Sequence, residues 1–247
     1  MPRVLLAFDF DHTIIDDNSD TYVINLAPEK KIPKEIKAMY SEKGWTHYMR
    51  GIFQYLHENN VTPQQILECM SEIKFSPGMM ELLTNLDQAK TEVIIISDSN
   101  SIFIDHILDM NGIKDKVSKV FTNPAQFNDQ GQLELEMYHF QESCSLSTVN
   151  LCKGHILEAF IAERASQNLH YSNIVYVGDG HNDLCPSLRL AEKDFVFHRE
   201  GFSLGKYIKK MEAEKGLKIK ANLNSWNSGH DIMQILNDHI PMLSVKN

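Results

Sequence analysis

The sequence of 247 residues has no long hydrophobic run, no excess of positive charge and no close pair of cysteines. No apolar segment approaches the roughly 20 residues that cross a bilayer, so we expect no membrane-spanning helix. The 24 Lys and Arg residues face 33 Asp and Glu residues, and this net charge of −9 argues against a general nucleic-acid binder. The four cysteines form no CxxC motif, which indicates free thiols in a reducing compartment.

Composition and the N-terminal segment narrow the class of protein further. The chain reaches charged residues within its first ten positions, which is too early for the apolar region of a signal peptide. With 43% hydrophobic and 23% charged residues, it has the composition of a folded protein rather than a disordered or fibrous one. We therefore predict a cytoplasmic protein that binds neither membranes nor nucleic acid, with its oligomeric state left open.

Short apolar segments alternate with helical periodicity along most of the chain. Residues 4–8, 93–96 and 174–177 are apolar on both faces, which is typical of buried strands. This alternation predicts an α/β fold with a Rossmann-like, mostly parallel sheet and helices on both faces. Weaker patterns predict strands at 119–122 and 195–197, a hairpin turn at 128–131, and helices over 79–89, about 102–110, 150–167 and from about 203.

The segment between about residues 20 and 75 has a different character. Apolar residues such as Ile52, Phe53 and Leu56 recur there at helical spacing, and no strand pattern interrupts them. Pro33 and Pro63 stand where helices begin. We predict a small all-helical cap inserted after the first strand, with the cap at 16–75 and the α/β core at 1–15 and 76–247.

Polar clusters begin where three of the predicted strands end, at 9–13, 97–101 and 178–183. Ligands bind outside the carboxyl ends of the strands in an open α/β sheet. Asp9 and Asp11 would lie on one side of an extended segment, roughly 7 Å apart at the backbone, and would repel each other without a cation between them. Asp179 and Asp183 add oxygen ligands of the kind that suits Mg²⁺, although any one Asp could instead cap a helix.

These motifs resemble the signatures of the haloacid dehalogenase superfamily of phosphotransferases. The sequence DFDHT at 9–13 matches the first signature, and GDGHND at 178–183 matches the fourth. Ser97 matches the second and Lys153 the third. The helical insert is similar to the superfamily's mobile cap. The resemblance implies a Mg²⁺-dependent phosphatase that acts on a small phosphorylated metabolite.

The resemblance also implies the catalytic and metal-binding residues. Asp9 would be the nucleophile that forms an aspartyl-phosphate, and Asp11 the general acid and base. Mg²⁺ would be held by the Asp9 carboxylate, the Asp11 backbone carbonyl and Asp179. Asp183 would either be a further ligand or orient the metal-bound water from outside the ligand shell.

Phosphate binding is implied for three further positions. Ser97 would hold the phosphoryl group by a hydroxyl hydrogen bond and Lys153 by its charge, while Thr13 would orient the loop beside it. A lone lysine on a helix is otherwise a solvated surface residue. His12 and His181 match no fixed position, so we expect them to be loop residues that line the pocket.

Longer segments are similar to a small family that contains phosphoethanolamine/phosphocholine phosphatase and its pyridoxal phosphate phosphatase paralogue. They are DFDHTIIDDNSDT, IIISDSNSIFID, FTNPAQFN, NLCKG and VYVGDGHNDLCP. The SDSNS sequence at the second signature and the compact chain length are more similar to those of the pyridoxal phosphate phosphatase paralogue. This resemblance implies pyridoxal 5'-phosphate as substrate. Phosphoethanolamine or phosphocholine is the first alternative.

Two acidic positions bear on the choice of substrate. The resemblance implies that Asp20 and Asp98 contact the leaving group, where anions would favour a cationic head. Asp20 could instead be a helix N-cap. Trp45 and Tyr48 could stack on a pyridine ring or a quaternary ammonium, or could form the core of the cap.

Two other functions are weighed against these. A phosphoserine phosphatase would need a cation for the substrate carboxylate, and Arg50 is the only arginine of the insert. A metal-binding scaffold that has lost catalysis would lack the nucleophile or the acid, and the sequence lacks neither.

Overall fold

The computed structural model describes residues 3–40, 44–240 and 243. Its strands are β1 (Arg3–Phe8), β2 (Thr91–Asn100), β3 (Lys119–Asn123), β4 (Ala125–Phe127), β5 (Leu133–Leu135), β6 (Tyr171–Gly178), β7 (Phe195–Arg199) and β8 (Asn222–Trp226). Six of them form one parallel sheet in the order β3-β2-β1-β6-β7-β8. The strands β4 and β5 form a separate antiparallel hairpin.

Helices cover both faces of the sheet and fill the segment between β1 and β2. They are α1 (Ser19–Tyr22), α2 (Lys34–Ala38), α3 (Trp45–Glu58), α4 (Pro63–Ser71), α5 (Met79–Asn85), α6 (Ser101–Met110), α7 (Lys153–Ser166), α8 (Leu184–Ser187), α9 (Ser203–Lys215) and α10 (Gly229–His239). Short 3₁₀ helices lie at Val23–Leu26, Pro28–Lys30, Lys114–Lys116 and His181–Asp183. None of the helices in the described part of the chain is long and apolar enough to cross a membrane.

The central strand β1 contributes side chains to two hydrophobic cores, one on each face of the sheet. Val4, Leu6 and Phe8 pack into a core that includes α5, α6, α10 and the inserted helices. Leu5 and Ala7 point the other way, into a core with α7. This division follows from the two-residue repeat of a strand, and it explains why β1 is apolar on both faces.

The strand order reverses at β1, because the chain passes from β1 to β2 on one side and β6 pairs with β1 on the other. In an open α/β sheet the crevice at such a switch point is where ligands bind. The carboxyl end of β1 is therefore the expected site, and Asp9 is the residue that follows it.

The insert is helical as predicted. Pro63 is the first residue of α4, where Thr62 and Gln65 form a capping box, and Pro33 is the N-cap of α2. The hairpin also packs against the insert, because Arg50 Nε on α3 donates to the carbonyl of Leu135 at 2.6 Å. The division into 1–15 and 76–247 as core and 16–75 as cap stays a prediction.

Most predicted elements of the core are present, with differences at several boundaries and one unpredicted strand. The helix predicted over 150–167 begins only at Lys153, and β2 runs on through the polar residues to Asn100. The helix α5 ends at Asn85 rather than near residue 89, since Leu86 is already extended. The strand β8 was not predicted, because Trp226 alone among its five residues is buried and its sequence lacks an apolar run. The hairpin turn at 128–131 is confirmed, with Gly131 at φ +80°.

A buried carboxylate on β2 ties the sheet to α7. Glu92, with 4% of its side chain exposed, accepts hydrogen bonds from Arg164 Nη2 at 2.6 Å and from the Tyr171 hydroxyl at 2.7 Å. Burial alone would raise the pKa of Glu92, but the hydrogen bonds from Tyr171 and Arg164 outweigh burial and lower it.

Glu92→Gln should lower the free energy of unfolding by about 1–3 kcal/mol at pH 7, because bonds to an ionised acceptor are lost. A lowered pKa in the folded state gives stability that is present above the unfolded-state pKa and is lost as the pH falls through the folded-state pKa. The gap between variant and wild type should therefore close below about pH 4. Urea unfolding across this range tests it, with the exposed Glu142→Gln as matched control; a gap independent of pH would contradict the assignment.

Candidate active site

The polar clusters at the ends of β1, β2 and β6 meet at one cavity of about 740 Å³. This volume suits a small metabolite. Six of the residues predicted for the site line it, namely Asp9, Asp11, Asp20, Ser97, Asp98 and Asp179. The other three, Thr13, Lys153 and Asp183, are fully buried and do not line it.

Lys153 lies beneath the cavity floor between two carboxylates. Its Nζ is 2.6 Å from Asp9 Oδ2 and 2.8 Å from Asp183 Oδ1. Burial alone would lower the pKa of Lys153, but the charges of Asp183 and Asp9 raise it above its ordinary value, so the side chain is a cation. The surface interpretation of this lysine is thereby excluded.

Both oxygens of Asp9 are held in place. Oδ1 accepts the backbone N–H of Phe10 at 2.6 Å, and Oδ2 lies against Lys153. Burial, followed by the charge of Asp183, raises the pKa of Asp9 well above its ordinary value. The carboxylate is thus oriented by the protein, and a nearby cation would favour its ionised form.

Asp183 uses all of its acceptor capacity inside the protein. Oδ1 accepts from Lys153 Nζ at 2.8 Å and from the Tyr176 hydroxyl at 2.6 Å, while Oδ2 accepts the N–H groups of Asp179 at 3.0 Å and Gly180 at 2.9 Å. A carboxylate has about four lone-pair positions, and all four are taken. A Cβ on Gly178 would lie 2.5 Å from Asp183 Cγ, so glycine permits this close approach.

Three acidic side chains, two that line the cavity and one buried beside them, could hold a metal ion. Carboxylate oxygens of Asp9, Asp179 and Asp183 lie within 4.8 Å of one another. Burial and the charge of Asp183 raise the pKa of Asp179 to about 7. Like charges at this spacing repel, and a divalent cation with a preference for oxygen ligands would relieve the repulsion. The residues present therefore fit Mg²⁺.

Asp11 lines the cavity two residues after Asp9. Its Oδ1 accepts the backbone N–H of Ser19 at 3.0 Å. Burial raises the pKa of Asp11 to about 6 although the hydrogen bonds from Ser19 oppose the shift. A carboxyl group that exchanges its proton near neutral pH can act as a general acid and base.

Asp20 is buried inside α1 and does not cap it. The N-cap is Asn18, whose Oδ1 accepts the N–H of Thr21 at 2.9 Å, so the N-cap interpretation of Asp20 is wrong. Asp20 Oδ2 instead accepts from Trp45 Nε1 at 2.7 Å. Burial, followed by the charge of Asp11, raises the pKa of Asp20 to about 8.

The aromatic residues of the insert divide between the cavity and the core. Trp45 lines the cavity together with Tyr40, whereas Tyr48 is buried beside them. The ring centroids of the three residues lie 5.5–5.7 Å apart. The predicted stacking role is thus open to Trp45, and Tyr48 belongs to the core.

Asp98 joins the second and fourth polar clusters. Its Oδ2 accepts from Asn182 Nδ2 at 2.7 Å, and its Oδ1 is buried with no hydrogen-bond partner among the described residues. Ser97 beside it accepts the N–H of Ser99 at 3.2 Å. Asn182 was not singled out from the sequence, although it lies inside the GDGHND motif.

Other residues of the site were also missed. Arg199, at the end of β7, donates from Nη1 to the carbonyl of His12 at 2.6 Å and also contacts Asp16. Its place directly at a strand end is the signal that could have found it. Tyr207 and Lys210 of α9 and the loop at 145–148 line the cavity without a motif of their own.

His12 and His181 line the cavity as predicted. His12 has φ +53°, which places the turn after Asp9 in the left-handed region, and its ring packs 5.4 Å from that of Phe202. Arg50 does not line the cavity. The hydroxyl of Thr13 is buried without a hydrogen-bond partner in the described part of the chain, and its predicted role stays a prediction.

Comparison with known proteins shows the family. Residues 4–240 match the family model described as Putative Phosphatase. Pyridoxal phosphate phosphatase PHOSPHO2 of Bos taurus is 42% identical over 236 residues, with 95% of this chain and 97% of that protein covered. The chain belongs to this phosphatase family.

Further comparisons add a second named relative and a solved structure of similar fold. The human phosphoethanolamine/phosphocholine phosphatase is 34% identical over 233 residues, covering 94% of this chain and 87% of that protein. A substrate-bound phosphoserine phosphatase structure has a TM-score of 0.61 at 19% identity, covering 95% of this chain and 99% of that one, which shows a shared fold. The chain is a phosphatase, and hence a phosphoric monoester hydrolase.

Proposed function

We propose that this phosphatase hydrolyses pyridoxal 5'-phosphate through an aspartyl-phosphate on Asp9, with Mg²⁺ as cofactor. The observation that carries the proposal is that Asp9 and Asp11 line the cavity while Lys153 is buried with its Nζ 2.6 Å from Asp9 Oδ2. This arrangement joins an oriented carboxylate, a second carboxyl group with a pKa of about 6, and a buried cation. A nucleophile, a proton donor and a counter-charge are what phosphoryl transfer requires.

The proposed reaction has two steps. The Asp9 carboxylate attacks phosphorus, the ester P–O bond breaks, and Asp11 gives its proton to the leaving alkoxide. Asp11 then takes a proton from water, which attacks phosphorus and displaces Asp9 to release inorganic phosphate. Ser97, in the carboxyl-terminal half of β2, would hold a phosphoryl oxygen through its hydroxyl.

Asp9, Asp179 and the backbone carbonyl of Asp11 would hold Mg²⁺, which supplies positive charge where anionic groups approach each other. We assign Asp183 a positioning role, because its oxygens are already occupied by Lys153, Tyr176 and backbone N–H groups. We also assign the helices of 16–75 to a cap that covers the cavity, since Asp20 and Trp45 line it.

Acidic and aromatic residues of the lining support a cationic, planar leaving group. In addition to Asp9 and Asp11, the acidic residues Asp20 and Asp98 line the cavity. Lys210 is the only Lys or Arg among the described residues that lines it. Burial raises the pKa of Asp20 and of Asp98, and a bound cation would favour the ionised form of each. A pyridinium N–H can donate to a carboxylate and its ring can stack on Trp45. The PHOSPHO2 relatives are named for this substrate.

Phosphoethanolamine is the second candidate, because its ammonium group can also donate to Asp20 or Asp98. The quaternary ammonium of phosphocholine has no N–H, so it would rely on charge and on the aromatic rings. Phosphoserine is disfavoured, since Arg50 is bound to the carbonyl of Leu135 and lies outside the cavity lining. A scaffold without catalysis is disfavoured because nucleophile and acid are both at the cavity.

Removal of the metal should abolish turnover. Treatment with EDTA is expected to stop hydrolysis, and Mg²⁺ should restore it. Mg²⁺ should also raise the Tm of the EDTA-treated protein, because a bound ion stabilises the folded state by mass action. Asp179→Asn should weaken this rise, whereas the exposed Asp129→Asn should leave it unchanged; full activity in EDTA would contradict the metal requirement.

A substrate panel tests the proposed selectivity. We expect kcat/KM to rank pyridoxal 5'-phosphate first, then phosphoethanolamine, phosphocholine and phosphoserine. Asp98→Asn should lower kcat/KM by about tenfold for the cationic substrates, since it removes a negative charge from the cavity. p-Nitrophenyl phosphate, whose leaving group is not cationic, should be affected much less. Equal losses on all substrates would overturn selection by charge.

A further inference from the structure

Three of the four cysteines lie close together next to the active site and outside the cavity lining. Cys144 lies in the segment between β5 and α7, Cys152 is the N-cap of α7, and Cys185 lies in α8. Cys185 Sγ is 3.4 Å from Cys144 Sγ and 3.7 Å from Cys152 Sγ, and all three sulfurs lie within 4.8 Å of one another. The sequence predicted free thiols, which is confirmed, but not their convergence.

The sulfur spacing matches that of thiolates around one metal ion. Tetrahedral Zn²⁺ with Zn–S bonds of about 2.3 Å holds its sulfurs about 3.8 Å apart. The two S–S distances involving Cys185 are close to that value. Three convergent thiols from separate elements are therefore arranged as ligands without a change of fold.

Hydrogen-bond donors lie against two of these sulfurs, although the hydrogen bond with Cys152 and burial raise the pKa of Cys185. The hydroxyl of Ser147 donates to Cys152 Sγ at 3.2 Å, and the guanidinium of Arg189 interacts with Cys185. A Cβ on Gly154 would lie 2.6 Å from Cys185 Sγ, so the first turn of α7 approaches the cluster closely. The N-terminus of the 14-residue α7 adds the positive end of a helix dipole.

We propose that Cys144, Cys152 and Cys185 form a thiolate site for Zn²⁺, separate from the carboxylate site in the cavity. The thiols would release their protons to solvent on binding. His139 is not available as a fourth ligand through Nε2, because this atom already accepts the N–H of Cys152 at 3.0 Å. A water would therefore take the fourth position, beside the half-buried Cys144.

A metal at this site would hold together three chain segments that adjoin the active site. Cys152 directly precedes Lys153, Cys185 follows Asp183 by two residues, and residues 145–148 line the cavity just after Cys144. A metal that joins these three cysteines would fix the loop relative to α7 and α8. Its role would be structural, since the cysteines do not line the cavity.

Titration of the reduced, chelator-treated full-length protein with Co²⁺ tests the proposal. Co²⁺ should give the sulfur-to-cobalt charge-transfer absorption, and one equivalent of Zn²⁺ should remove it. Cys144→Ser and Cys185→Ser should each lower Zn²⁺ affinity by more than about 100-fold. Cys69→Ser is the matched control, because Cys69 is a buried free cysteine on α4 outside the cluster.

Two further measurements keep the test decisive. Asp179→Asn should retain the absorption, since oxygen ligands produce none, which separates this site from the proposed Mg²⁺ site. If a serine variant does not fold, alkylation of Cys144 in the wild-type protein should be slowed by Zn²⁺. Absence of the absorption, its loss in Cys69→Ser alone, unchanged alkylation with Zn²⁺, or a Cys144–Cys185 disulfide in the reduced preparation would each overturn the site.

Discussion

Asp9→Asn is expected to abolish hydrolysis, with kcat lowered by roughly 10⁴-fold or more. The amide has nearly the same shape as the carboxylate, so the N–H of Phe10 can still donate to its oxygen. It is not a nucleophile, so no phosphoryl-enzyme can form. The change removes the ion pair with Lys153, but it also removes a charge that burial and Asp183 disfavour, and Lys153 keeps its ion pair with Asp183. The fold should therefore be retained.

Steady-state kinetics with pyridoxal 5'-phosphate and p-nitrophenyl phosphate measure this loss. Asp129→Asn, the same chemical change at an exposed position of the hairpin turn, should leave kcat unchanged. Circular dichroism and urea unfolding should show a native Asp9→Asn protein. Appreciable turnover of either substrate by the folded variant would remove Asp9 as the nucleophile.

Lys153→Met should be the most destabilising of these changes, lowering the free energy of unfolding by about 3–5 kcal/mol. The substitution leaves Asp9 and Asp183 buried without the cation that lies 2.6 and 2.8 Å from them. Loss of this cation would raise the pKa of Asp9 further and so disfavour its ionised, nucleophilic form. We therefore expect a large fall in kcat as well.

Urea unfolding and kcat, measured on the same preparations, test both effects. Lys34→Met, an exposed lysine of α2, is the matched control and should change neither quantity appreciably. Lys153→Arg keeps the charge, but a planar guanidinium does not fit a fully buried ammonium site, so its stability should remain below wild type. Stability and activity equal to wild type in Lys153→Met would contradict the role assigned here.

Asp20 shows where local patterns are ambiguous. An acidic residue near a helix start is a natural N-cap, and Asp20 was considered for that role, but Asn18, another residue type that caps helices, stands two positions before it. Which of them caps depends on side-chain direction, and the structure gives the cap to Asn18 and turns Asp20 toward Trp45. That contact spans 25 residues, so no local pattern could reveal it.

The strand β8 and the role of Arg199 are two further features that local sequence patterns did not predict. A strand is recognised by its buried residues, and in β8 the flanking strand and helix supply the hydrophobic contacts that its own sequence does not. Arg199 reaches the carbonyl of His12 across 187 residues. Contacts of that separation are created by the pairing order of the sheet.

Contiguous patterns were sufficient for the fold class, the insert and the acidic residues at the strand ends. Apolar strands, helical periodicity and the two Asp-rich motifs each occupy a few neighbouring residues, and parallel strands necessarily bring their carboxyl ends to one edge. Packing alone decided which partners these residues met: Lys153 between Asp9 and Asp183, Asn182 on Asp98, and three sulfurs from separate elements. Such partners lie far apart in the chain, so their meeting depends on the tertiary arrangement of the whole sheet.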